Sequence, residues 1–219
     1  MLTERALRVL EAHVFLADPV ADARAFLFEM LDPTPDRGDM LYRYEHSLRV
    51  AAIGRAIARA EGLPEEPLVL ACLLHDIGYR DSLALDEYSR HHLIGAEIAR
   101  EYLAKAGYDA ALSREIVLGV ERHCLTDSLP ADMTVFQTTV RDSDDIDRCG
   151  PIRTAMLLGR CVDEKTDAQI LAACEEAVAR TKRFAALPRG TATARRLIDE
   201  RCEKRVSLLE ELAAQARMA

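Results

Sequence analysis

Seven consecutive apolar residues, Leu68-Val69-Leu70-Ala71-Cys72-Leu73-Leu74, run directly into His75 and Asp76. Such a run offers an apolar surface in every direction, so the element it forms must be enclosed on every side. Pro67 and Gly78 bracket the piece and predict a helix over Pro67–Ile77. The run is far shorter than the ~20 residues that span a bilayer, so it belongs to a protein interior. Placing His75 and Asp76 at its end takes two polar groups, one of them charged, into a low dielectric. That is costly unless something compensates. A divalent cation does so, because it requires neutral imidazole and ionised carboxylate. The competing explanation is a helix end at which Asp76 simply reaches solvent.

Breakers cut the rest of the chain into pieces of helical length. Leu2–Ala17 and Pro19–Leu31 read as two short helices, followed by a loop over Asp32–Gly38. Met40–Glu61 reads as a long helix ended by Gly62, and Asp86–Ala106 as another closed by Gly107. Leu112–His123 and Met133–Asp147 come next, separated by a turn at Leu129-Pro130. After Gly150-Pro151 the pattern continues as helices over 152–162, 167–184 and 192–217. No segment sustains the alternation of a half-buried strand, and Ala, Leu, Glu and Arg are plentiful. The expected fold is all-α. A helical centre over 40–150 carries helical extensions over 1–39 and 151–219, the latter packed on the core. The last stretch, Arg195 to Met218, reads as an amphipathic packing helix, with a second copy of the chain as its alternative partner in a homodimer.

Charge and cysteine usage narrow the class. The net charge is −8 and the sequence pI about 5.3. This repels nucleic-acid polymers and anionic membranes, yet leaves room for a small anionic substrate beside a buried metal. Six cysteines lie far apart with no C-x-x-C pair, and Met1–Leu10 carries charges rather than an apolar leader. Free thiols in a reducing cytoplasm are the expectation. No glycine-rich phosphate loop and no nucleic-acid module is legible.

Three more segments turn metal-ligand residue types inward. His46 shares a helical face with Val50, Ile53, Ile57 and Ala60. A lone case means little, since hydrogen-bonded core histidines are common. Asp144 lies on the face of Met133, Phe136, Gln137 and Val140, whereas Asp142, Asp145 and Asp147 point elsewhere, to solvent or to a supporting role. The acidic run is no calcium loop, because Ile146 takes a ligand position and Arg153 stands where the bidentate Glu belongs. His91 shares a face with Ile94, Gly95, Ile98 and Tyr102, and its neighbour His92 one with Gly95, Ala96, Ala99 and Leu103. His123 sits above Ile116, Gly119 and Val120. A mixed nitrogen and oxygen set suits Mn, Fe, Co, Ni or Zn, and Mg less well. Cys72 and Cys124, each near a histidine, read as small buried residues rather than nucleophiles.

Taken in order, Arg43-Tyr44-Glu45-His46-Ser47, Leu73-Leu74-His75-Asp76-Ile77-Gly78, His91-His92-Leu93-Ile94-Gly95-Ala96 and Asp142-Ser143-Asp144-Asp145-Ile146-Asp147 resemble the successive motifs of the HD domain superfamily of metal-dependent phosphohydrolases. The likeness covers residues 40–150. It implies a helical bundle around a metal held by His46, His75, Asp76 and Asp144. Relatives with additional histidines bind a second metal, which favours His91 over His92 and adds His123. Cys124 stands where many relatives carry a further histidine, so one ion or two stays open.

The resemblance implies hydrolysis of a phosphate ester or anhydride in a small phosphorylated metabolite, a nucleotide first among them, through metal-activated water. Asp76 or Asp144 takes the water's proton in that scheme. Arg43, Arg80, Arg90, Arg122 and Arg141 are candidate phosphate-binding cations, with Arg43 and Arg80 preferred. Two other functions stay in play: oxygenation at a binuclear iron site, and a non-catalytic signalling or scaffold module.

Overall fold

The computed structural model describes residues 2–34, 38–125, 130–162 and 165–218. The expected turn at Leu129-Pro130, the middle of the Asp32–Gly38 loop and the Cys161 side chain fall outside them. Among the described residues there are α-helices, one 3-10 turn and no strand, so the chain is all-α as expected. The helices are α1 (Glu4–Ala12), α2 (Pro19–Leu31), α3 (Gly38–Glu61), α4 (Glu65–Leu74), α5 (Tyr79–Ala84) and α6 (His91–Lys105). They continue as α7 (Ala110–Arg122), α8 (Val135–Arg148), α9 (Pro151–Val162), α10 (Asp167–Ala185) and α11 (Ala192–Ala216).

Helix α4 is the axis of the bundle. Every residue from Leu68 to Leu74 is buried, enclosed by α2, α3, α7 and α8. Burying each leucine side chain contributes about 2 kcal/mol, so this one helix carries a large share of the core. Helix α3 packs its buried residues Val50, Gly54, Ile57 and Ala58 inward, whereas Ala60, expected on that face, is exposed.

Two helices are shorter than expected, one at its end and one at its start, each for a visible reason. The first stops at Ala12 instead of Ala17 because His13 leaves helical geometry, with ψ at 130°. Its ring sits between Asp22 and Glu29, at 3.2 and 2.8 Å, and edge-on to Phe15. These tertiary contacts outweigh local helix propensity. The expected helix over Asp86–Ala106 begins only at His91. Asp86 adopts a left-handed conformation, φ 56°, and Tyr88–Arg90 form the 3-10 turn. The break places His91 at the first position of α6, beside Tyr88.

A close backbone crossing fixes that first turn. A Cβ built on Gly78 would lie 2.4 Å from both the Gly95 amide nitrogen and the His91 carbonyl oxygen. Glycine at 78 therefore lets the turn after α4 touch the start of α6.

The C-terminal helices form a hairpin, α10 against α11, with its own small core of Ile170, Cys174, Ala177, Leu209 and Ala213. A second cluster joins α11 to the bundle through Ile57, Ile146, Cys149, Ala194, Ile198 and Cys202. Ions reinforce that joint. The buried guanidinium of Arg189, in the loop before α11, lies 3.3 Å from Asp142 and 2.5 Å from Asp145. The Gly190 amide also donates to Asp142 at 2.8 Å.

Candidate metal centre

The centre forms where α3, the end of α4, the start of α6, the end of α7 and the middle of α8 converge. His46 comes from α3, His75 and Asp76 from the turn after α4, and Asp144 from α8. His91 opens α6 and His123 follows α7 directly. All but His91 are buried, and His91 is largely so. The six residues singled out in the sequence therefore meet in space.

The imidazoles share one arrangement. His75 Nδ1 donates to the Cys72 carbonyl at 2.8 Å, His123 Nδ1 to the Val120 carbonyl at 2.7 Å, and His91 Nδ1 to the Tyr88 carbonyl at 2.9 Å. His46 Nδ1 donates to the Asp147 carboxylate at 2.7 Å. Carbonyl and ionised carboxylate oxygens only accept, so the Nδ1 proton is committed outward in each ring. The Nε2 atoms turn inward with a lone pair free to ligate.

Those Nε2 atoms gather on the two oxygens of Asp76. His75 lies 3.5 Å and His46 3.8 Å from Oδ2, while His91 and His123 lie 3.4 and 3.5 Å from Oδ1. His46 Nε2 is also 3.0 Å from Asp144 Oδ1. The Nε2 atoms of His46 and His75 face each other at 3.3 Å. Two acceptors so placed need a positive charge between them, either a proton or a cation. The donor set fits a divalent metal: neutral imidazoles, ionised carboxylates and convergent lone pairs in a buried site.

Electrostatics agree with this fit. Burial alone would lower His46, yet the adjoining Asp144 and Asp147 raise its pKa to about 9, marking a place that attracts positive charge. Burial brings His75 down to about 4, so its ring is neutral at ordinary pH. Burial opposes ionisation of Asp76, but the hydrogen bond from His123 and the Arg43 guanidinium hold its carboxyl well below the usual range.

Cys124, read from the sequence as a small buried residue at a position where relatives carry a further histidine, offers an additional donor. Its Sγ lies 3.2 Å from His123 Nε2 and 3.4 Å from His91 Nε2. Burial would push the thiol up, but hydrogen bonds from protons at the Nε2 atoms of His123 and His91 outweigh it and bring the pKa to about 4, and a bound cation would supply that positive charge in place of the protons. A thiolate thus completes the half of the centre around Asp76 Oδ1. His92 stacks edge-on behind, with ring centroids 5.6 Å from His91 and 6.3 Å from His123.

Of the two readings open for Asp147, solvent or a supporting role, the structure shows the second: it faces inward and bridges His46 to Arg49, whose Nε donates to it at 2.9 Å. Asp142 and Asp145 are likewise buried, in the Arg189 joint.

A cleft of about 260 Å³ opens over the centre, walled by Tyr42, Arg43, Tyr79, Tyr88, Arg148 and Arg153. Arg43 reaches it, donating to Asp76 at 3.0 Å and to the Tyr79 hydroxyl at 2.5 Å. The other expected arginines do not. Arg80 pairs with Asp32, Arg90 with Glu87 and Arg122 with Asp132. Arg141 is buried beside Asp145. Arg148 and Arg153 take their place, at the junction of α8 and α9. Arg148 follows Asp144 by one helical turn, a spacing that places it over the site.

Comparison with known proteins adds a family. The sequence model of the HD domain matches residues 43–149. Over 57 residues, 26% of this chain, the sequence is 44% identical to ribonuclease Y of Mycoplasma mycoides and 42% identical to that of Mycoplasma capricolum. The matched stretch spans only 13% and 11% of those proteins. A predicted HD superfamily hydrolase of an uncultured Thermotogales bacterium superposes with a TM-score of 0.61 at 19% identity, over 86% of this chain and 90% of that one. A Lactobacillus plantarum protein superposes with a TM-score of 0.60 at 17% identity, over the whole of both chains. At these identities the two structures establish a shared fold.

Proposed function

We propose that this chain, which belongs to the HD superfamily through residues 43–149, is a metal-dependent phosphohydrolase of a small phosphorylated metabolite, with nucleotides the first candidates. The observation that carries the reading is the convergence of four imidazole Nε2 atoms on the two oxygens of Asp76. His46, His75, Asp76 and Asp144 would hold one divalent transition metal; His91, His123, Cys124 and the other oxygen of Asp76 would hold a second. Bound there, such ions lower the pKa of water and neutralise charge on a phosphoryl oxygen.

The protein's own groups do the rest. Asp144 turns its second carboxylate oxygen, Oδ2, to Arg148 at 3.6 Å; the guanidinium keeps it ionised, and its role would be to orient an attacking water by accepting a hydrogen bond from it. Arg43 fixes Asp76 from the cleft side. Arg148 and Arg153 offer guanidinium groups to phosphate oxygens at the cleft wall. The Tyr42 ring, parallel to His46 with centroids 5.7 Å apart, walls the imidazole from water on one face.

A substrate panel tests the reading: nucleoside mono-, di- and triphosphates, a phosphodiester, sugar phosphates and a short RNA, assayed for phosphate release with each of Mn, Co, Ni, Fe and Zn. Metal-dependent turnover of a small substrate, abolished in Asp144→Ala, is the expected result. The net charge of −8 argues against the RNA. No turnover of any substrate with any metal overturns the reading.

A further inference from the structure

A second cavity of about 210 Å³ adjoins the metal cleft and shares Arg148 and Arg153 with it. Its wall adds Arg180 of α10 and Arg205 of α11, so four helices each contribute one guanidinium. Among the described residues no carboxylate lines it. Arg148 is the only one of the four to meet a carboxylate among the described residues, at 3.6 Å from Asp144 and 4.0 Å from Asp145. Arg205 is anchored by donating to the Arg148 carbonyl at 2.9 Å, while its Nε is buried without a partner among the described residues.

This grouping runs against the composition of the chain. Four cations gather on a protein of net charge −8, and gathered like charges repel unless something neutralises them. Arg153 and Arg180 both weigh against the charge of Arg205. The core does not need them there, since the nearby α8–α11 joint is held by Arg189 and apolar contacts. An anion of matching size would relieve the repulsion, and guanidinium groups bind phosphate through paired donors.

We propose that this cavity is a second anion subsite for the same substrate, holding a phosphate or pyrophosphate group separate from the one at the metal centre. The inference rests on the hydrolase reading and sharpens it: the substrate carries at least two phosphate groups. Arg148 and Arg153, common to both cavities, bridge them, while Arg180 and Arg205 grip the distal group. The C-terminal hairpin thereby selects the substrate, and the helical centre performs the chemistry.

The test is isothermal titration of the full-length protein with inorganic pyrophosphate, comparing wild type, Arg180→Gln/Arg205→Gln and Arg196→Gln. Arg196 lies on the exposed side of α11, paired with Glu200, and controls for loss of charge alone. Binding is expected to weaken about tenfold in the double variant, as two charge-assisted contacts go, and to stay unchanged in Arg196→Gln. Equal affinity in wild type and the double variant overturns the proposal, as does equal weakening by Arg196→Gln. Circular dichroism checks folding; if the double variant is unfolded, the exposed Arg180→Gln alone must weaken binding. Titration needs no turnover. Arginine-dependent binding with no hydrolysis of any substrate would therefore sink the hydrolase reading and leave the subsite standing.

Discussion

His46 of α3 donates its Nδ1 proton to Asp147 of α8 at 2.7 Å, and Arg49 holds the same carboxylate from the other side. This triad fixes the tautomer and orientation of the imidazole, the usual role of a carboxylate behind a metal-binding histidine. Asp147→Asn removes the charge with little change in volume. It is expected to weaken metal binding roughly 10–100-fold, measured by competition with a chromophoric chelator. Unchanged affinity would mean that His46 is not a ligand.

Cys124 gives a spectroscopic prediction. With its sulfur between His123 and His91, cobalt-substituted protein should show a near-ultraviolet sulfur-to-metal charge-transfer band. Cys124→Ser should abolish that band, and Cys124→His should abolish it while retaining metal. A band that persists in both variants would assign the thiolate to another cysteine.

Gly78→Ala probes the crossing of the turn after α4 with α6. The new methyl meets backbone atoms at 2.4 Å, which cannot swing away as a side chain could. Overpacking of this kind costs about 2 kcal/mol, a fall in Tm of about 4–8 °C for a chain of this size. Differential scanning calorimetry measures it, and no change in Tm would show that the crossing is loose.

Arg189→Ala removes the guanidinium shared by Asp142 and Asp145 at the buried joint between α8 and the C-terminal hairpin, leaving the Gly190 amide on Asp142 and Arg141 beside Asp145. Leaving buried charge uncompensated costs about 3–5 kcal/mol, read by denaturant unfolding. Adding Asp142→Asn and Asp145→Asn should recover part of that loss. A triple variant no more stable than Arg189→Ala would contradict the ionic account of the joint.

The sequence made the helical centre legible because its signals are local. The run Leu68–Leu74 specified a helix buried on all sides that delivers His75 and Asp76, and inward register singled out His46, Asp144, His123 and the pair His91 and His92, between which only the family resemblance chose. What it hid depended on contacts distant in sequence. Helix α1 ends where His13 meets Asp22 and Glu29, and Asp147 turns inward toward His46, 101 residues away. Arg153 reaches the cleft only across the break at Gly150-Pro151, where no helical register carries over, whereas Arg148, one turn after Asp144, was within reach of that register. Cys124 looked like a small buried residue because nothing in its own segment reveals that His91 lies opposite.

Asp76 is the hinge of the account, since both of its oxygens face imidazole nitrogens. Elemental analysis by inductively coupled plasma mass spectrometry, on wild type and a folded Asp76→Ala variant, tests this most directly. The account predicts close to two divalent transition-metal ions per wild-type chain and the loss of both in the variant. A wild type that binds no transition metal, or a variant that binds as much as wild type, would contradict it.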